Sequence, residues 1–101
     1  MSFLFGPKGK SIFESGGMSF GSDNGVTVKS GNMYIGPGGK SAVESGNMVY
    51  TNSSAVTHCG NTWYCNGKTY IRSGSMLTGP EGSWHGVDSD DDVIRIILDE
   101  N

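Results

Sequence analysis

Few residues in this chain have side chains suited to chemistry. His58, Cys59 and Cys65 fall within eight positions, and His85 lies further on. Cys and His are the usual ligands of zinc, so the set must be weighed as a metal site. The spacing argues against it. His58 and Cys59 are adjacent, so on a strand they point to opposite faces. Five residues separate Cys59 from Cys65, which matches no familiar zinc pattern. Free thiols are the expected state, with a Cys59–Cys65 disulfide as the alternative.

Asp88, Asp90 and Asp92 have the first three ligand spacings of an EF-hand loop, but Val93 stands where that loop needs Gly and Asp99 replaces its closing Glu. A solvated acidic loop is expected there, with no metal bound. Gly9-Lys10-Ser11 ends like a phosphate-binding loop, yet Gly6 precedes Gly9 by only two intervening residues and no helix is indicated after it. A turn entering a strand is the expected structure. His85 with Asp88 or Asp90 is the best acid–base pair available, and it has no evident nucleophile. The chain is therefore expected to be non-enzymatic and to need no cofactor.

The elements that would position these residues come from a repeat. Residues 6–20, 21–35 and 36–50 align without a gap on Ser-Gly, as GPKGKSIFESGGMSF, GSDNGVTVKSGNMYI and GPGGKSAVESGNMVY. Looser copies occupy 51–64 and 65–78, and 79–101 departs from the pattern as a C-terminal cap. Each unit holds two short runs rich in β-branched and aromatic residues, separated by Ser-Gly-Asn or a variant. Such runs, with such punctuation, read as strands. The chain is thus predicted to be one all-β domain spanning 1–101.

Two architectures fit. In a short-coil β-solenoid, units of about 15 residues stack and like positions lie about 4.8 Å apart. In an antiparallel meander or two-layer sheet, Ser-Gly-Asn is instead a hairpin turn. The column identities favour the solenoid: Met18, Met33, Met48 and Met76 share one position, and Glu14, Lys29, Glu44, His58 and Arg72 share another. The Met column is expected inward and the charged column outward. With the charged column goes the row Tyr34, Val49, Trp63, Leu77, predicted as an exposed apolar interface. Trp84 and His85 are expected to lid the last coil. Val93-Ile94-Arg95-Ile96-Ile97-Leu98 reads as a final strand or a short helix.

Seven basic residues against ten acidic give a net charge of −3, the wrong sign for phosphate attraction, so nucleic acid is not an expected partner. No apolar run has transmembrane length, and residues 1–10 lack the features of a signal peptide. Cytoplasmic synthesis without membrane insertion is expected. Gly-rich stacked β chains of this size resemble, in general style, small phage tail, spike and fibre components, which often assemble as trimers. That resemblance implies a self-assembling, homo-oligomeric structural module, with a virion as one setting for it. The alternative is a carbohydrate- or ligand-binding module using Trp63, Trp84 and Tyr70.

Overall fold

The repeat unit is one β-hairpin, not one coil of a solenoid. The computed structural model describes residues 2–21, 25–52 and 54–100. Twelve strands run in chain order: β1 (Ser2–Phe5), β2 (Ser11–Ser15), β3 (Met18–Gly21), β4 (Val26–Ser30), β5 (Met33–Ile35), β6 (Ser41–Ser45), β7 (Met48–Thr51), β8 (Ala55–Cys59), β9 (Thr62–Cys65), β10 (Lys68–Ser73), β11 (Met76–Gly79) and β12 (Gly82–His85). Each pairs antiparallel with its neighbours in sequence, and β1 meets β12, so the meander closes into a barrel. Helix α1 (Asp90–Glu100) ends the described chain.

Turn chemistry selects this hairpin. In Ser-Gly-Asn the Gly takes φ near +60°: Gly31 has φ 63° and Gly46 has φ 59°. The residue after each has negative φ, the pattern of a two-residue II′ turn, whose twist matches that of the flanking strands. Ser45↔Met48 and Glu44↔Val49 are accordingly cross-strand pairs. Between β9 and β10 the turn is Asn66-Gly67, both at positive φ, as a type I′ turn requires. This turn lies at the end opposite Ser-Gly-Asn, as does the two-residue β11–β12 turn; the remaining links there are longer, and two contain 3-10 turns at Pro7–Gly9 and Pro37–Gly39. The Gly-Lys-Ser triplets are thus turns entering β2 and β6.

The repeat period has a backbone cause. Lys29, Glu44, His58 and Arg72 each donate a main-chain N–H to the turn of the preceding hairpin, at Gly17, Asn32, Asn47 and Asn61. These bonds, 2.8–2.9 Å long, lock one hairpin to the next. Column identity therefore records a shared place in a closed meander. The solenoid expectation is corrected on this point; its antiparallel alternative holds.

The faces are also the reverse of those expected. Tyr34, Val49, Trp63, Leu77 and Trp84 point into the lumen and are 0–4% exposed. Met18 and Met33 lie on the outer surface, at 39% and 41%. Inside the lumen runs α1, buried from Asp92 to Leu98. That enclosure explains its sequence: a helix walled in on every side is apolar all round, which in six residues cannot be told from a buried strand. The chain turns in at the short-turn end, where Gly86 and Val87 donate to Ser75 O at 3.0 and 2.9 Å. Asp90, Asp91 and Asp92 occupy the first helical turn, where negative charge meets the positive end of the helix dipole. At the far end the Lys40 ammonium donates to Leu98 O at 3.0 Å, satisfying a terminal carbonyl.

No described helix is long and apolar enough to cross a membrane.

Candidate functional site: the charged lumen and the apolar outer face

The charged column turns inward because the helix supplies its partners. Asp91 accepts hydrogen bonds from the Tyr34 hydroxyl and from Arg95 Nε at 2.9 Å. Lys29 Nζ lies 3.0 Å from the same carboxylate. Arg95, 3% exposed, also approaches Glu14 Oε2 at 3.5 Å and donates through Nη2 to Gly17 O at 3.3 Å. Near the helix start, Arg72 Nη1 reaches Asp90 at 3.1 Å. Strand charges and helix charges thus dock α1 in one register. Buried ions are tolerated only when paired in this way.

Burial of Asp91 opposes its ionisation. The hydrogen bonds from Tyr34, Arg95 and Lys29 outweigh that cost and hold its carboxyl below the ordinary 3.8. Burial first, and then the hydrogen bond to Asp91, push the Tyr34 phenol well above its ordinary 10.0, so it stays a neutral donor. A depressed carboxyl pKa adds stability that is complete above the unfolded-state value and is lost as pH falls through the folded-state value. Acid denaturation monitored by circular dichroism should therefore show stability falling below about pH 4. Asp91→Asn should flatten that slope. An unchanged acid slope in Asp91→Asn would remove Asp91 from the linkage.

Glu14, Asp91 and Asp92 each place a carboxylate oxygen within 4.8 Å of the others. Arg95 and Lys29 already face this cluster, and Asp92 Oδ2 accepts from the Asp88 N–H at 2.7 Å. The protein uses these carboxylates internally.

The lumen is unevenly filled. Strands β9 to β12 contribute Trp63, Tyr70, Leu77 and Trp84, whereas β3 and β4 contribute Ser19, Gly21 and Thr27. A cavity of about 280 Å³ remains on the small-residue side, against the second half of α1.

The outer face shows the opposite segregation. The five charged residues on strands, Glu14, Lys29, Glu44, Lys68 and Arg72, all share the inward side with Ile12, Thr27, Ala42 and Tyr70. Outside remain apolar side chains, Ser, Thr and His85. On β1 to β5 the apolar ones converge. Phe3 stacks on Phe5 with centroids 5.9 Å apart, lies 4.7 Å from Phe13, and Phe13 lies 6.2 Å from Phe20. Val26, Val28 and Ile35 continue the patch, with Ile35 52% exposed.

The structure thus brings together the four expected interface residues, but in the lumen and not on the surface. Tyr70 and Trp84 are likewise fully buried. Trp84 belongs to the last strand of the barrel and fills the lumen, which corrects its expected role as a lid. His58 stacks on Trp63 at 4.2 Å and its Nε2 contacts Gly60 O. Cys59 is exposed and Cys65 buried, and both are free thiols. The Phe cluster and Arg95 were not singled out as site residues in the sequence. Their signal was present in the charge-free outer columns and in the lone cation within the otherwise apolar run Val93–Leu98.

No family model matches the chain, and no curated protein or solved structure matches it significantly.

Proposed function

We propose that this chain is a non-enzymatic structural module that associates with copies of itself through the outer face of β1 to β5. The observation that carries the reading is the uncharged apolar surface centred on Phe3, Phe5, Phe13 and Phe20. Contiguous exposed apolar patches mark interaction surfaces, and aromatic residues and Met are enriched at interface cores. A face without charge can meet another copy without like-charge repulsion, whether the contact is twofold or head-to-tail. Five of the twelve strands carry it. An arc that wide can touch two neighbours at once, as a closed trimer requires. A bilayer-spanning strand needs about 9–11 residues, and these strands have three to six, so the belt is too short to cross a membrane. Small phage-type assemblies are the setting that the repeat style suggests. Ligand binding through Trp63, Trp84 and Tyr70 would require the lumen to open.

Light scattering on the purified 10.7 kDa chain is expected to give a discrete oligomer, three times the chain mass for the trimer. The double variant Phe20→Lys, Ile35→Lys places two cations in the patch. It should yield a monomer with an unchanged circular dichroism spectrum. A wild-type monomer at all concentrations, or an oligomer indifferent to both lysines, would overturn the reading.

A further inference from the structure

We infer that the lumen cavity is a binding site for a small carboxylate that carries a hydrogen-bond donor on the adjacent carbon. The cavity is about 280 Å³, a volume suited to a ligand of a few heavy atoms and not to a drug-sized one. Its polar wall comprises Ser19, Thr27, Lys40, Arg95 and Asp99, and Ile12, Pro37 and Leu98 form the apolar part.

Two observations point to a ligand and to its charge. Arg95 is 97% buried, and its Nη1 has no hydrogen-bond partner among the described residues although Nε and Nη2 both do. A buried guanidinium N–H left unmatched is costly, and a carboxylate oxygen is its natural acceptor. Lys40 adds a second cation on the same wall, with one hydrogen bond directed to Leu98 O and further donors on its ammonium. The Asp99 carboxylate lines the wall too. It repels a dianion such as phosphate and accepts from a donor beside the ligand's carboxylate. An α-amino acid or an α-hydroxy acid has both features. The hydroxyls of Ser19 and Thr27 serve either form.

The space also has a structural origin that packing alone does not demand. Ile12 and Leu98 are large, while Ser19, Gly21 and Thr27, which line the same cavity, are small. The cavity is open to solvent beside Pro37 and Gly38, so a small solute can enter it.

The test is an NMR titration of the full-length chain, following backbone amides with glycine, glycolate, acetate and inorganic phosphate added separately. Glycine or glycolate should give saturable shifts at Ile12, Thr27 and Lys40. Which of the two binds tighter identifies the donor as an ammonium or a hydroxyl. Acetate, lacking the donor, should bind at least about tenfold more weakly, the worth of one hydrogen bond to a charged group. Phosphate should not saturate. Thr27→Leu fills the cavity with an apolar side chain and should abolish the shifts while leaving the spectrum dispersed. Lys40→Met, at the half-buried end of the wall, should weaken binding about tenfold. The inference fails if neither acid gives saturable shifts in the dispersed wild-type spectrum, which would leave water as the partner of Nη1. It also fails if Thr27→Leu binds as the wild type does, or if phosphate and acetate match glycine and glycolate.

Discussion

Arg95→Met is expected to destabilise the barrel by about 3–5 kcal/mol, the cost of removing one partner from a buried ion pair. Met keeps the unbranched apolar stem of the side chain and removes the guanidinium, so the larger part of the loss is electrostatic. The variant leaves Asp91 and Glu14 facing each other with Lys29 as the remaining cation near Asp91. It also deprives the Gly17 carbonyl of its Nη2 donor. In a domain of this size, 1 kcal/mol shifts the melting temperature by about 4–8 °C, so a fall of more than ~12 °C is expected. Arg95→Lys keeps the charge but not the fork that reaches Asp91, Glu14 and Gly17 from one group, and it should fall between the two. Urea denaturation of the three proteins, under conditions where assembly is held constant, gives the measurement. A loss under 1 kcal/mol in Arg95→Met would mean that the lumen is wet enough to screen these charges, and the pairing would then not hold α1 in register.

That network also explains why the sequence disclosed some levels of the structure and concealed others. The two strands of each repeat unit and the Ser-Gly-Asn punctuation were legible because short β-branched runs and positive-φ turns are local features; the antiparallel order was not, since shared columns suit a stacked coil as well as a hairpin, and β1 and β12 lie outside the repeat. What remained ambiguous was which side of each strand faces the core. Period-2 alternation distinguishes two faces, but it assigns them only when one is polar. Here both are apolar, with Met, Phe, Val and Ile prominent on one side and Tyr, Val, Trp and Leu on the other. Glu14, Lys29 and Arg72 tip that balance towards solvent for their own face, since charged residues are rarely buried without partners. Their partners, Asp91, Arg95 and Asp90, lie up to 81 positions away in sequence, the separation of Glu14 from Arg95. Matching the signs of strand and helix charges would have placed the helix inside. The absence of any charge on the Phe and Met columns would then have marked the outside as a contact surface. The cavity was legible only in retrospect, because Ser19, Gly21 and Thr27 are small for reasons that appear once α1 is known to pass beside them.

Trp84→Ala should cost a comparable ~3–5 kcal/mol, and its effect should be concentrated where the barrel closes. Among the described residues, strands β1 and β12 are joined in register at Phe5↔His85 alone, whereas β11 and β12 share four such pairs. Side-chain packing must therefore supply what the ladder lacks at this seam. Trp84 is fully buried, and its ring lies so near Gly6 that a Cβ there would come within 2.5 Å of Cε2. Gly86 packs as tightly against the Phe3 carbonyl, where a Cβ would sit 2.4 Å from the oxygen. Glycine at both positions lets the two edges approach, and the indole fills the space beneath them. Removing the indole leaves the seam with its one register pair and a void behind it. Trp63→Ala provides the comparison: it deletes an equally buried indole from β9, which is flanked by full ladders with β8 and β10. Both variants should lose similar global stability. Hydrogen exchange should separate them, with the amides of β1 and β12 losing protection early in Trp84→Ala and staying protected in Trp63→Ala. If the two variants exchange in the same order, the seam is no weaker than the rest of the sheet. If only Trp84→Ala opens there, exposed strand edges follow, and such edges pair readily with other chains, so this variant should also form concentration-dependent aggregates that Trp63→Ala does not.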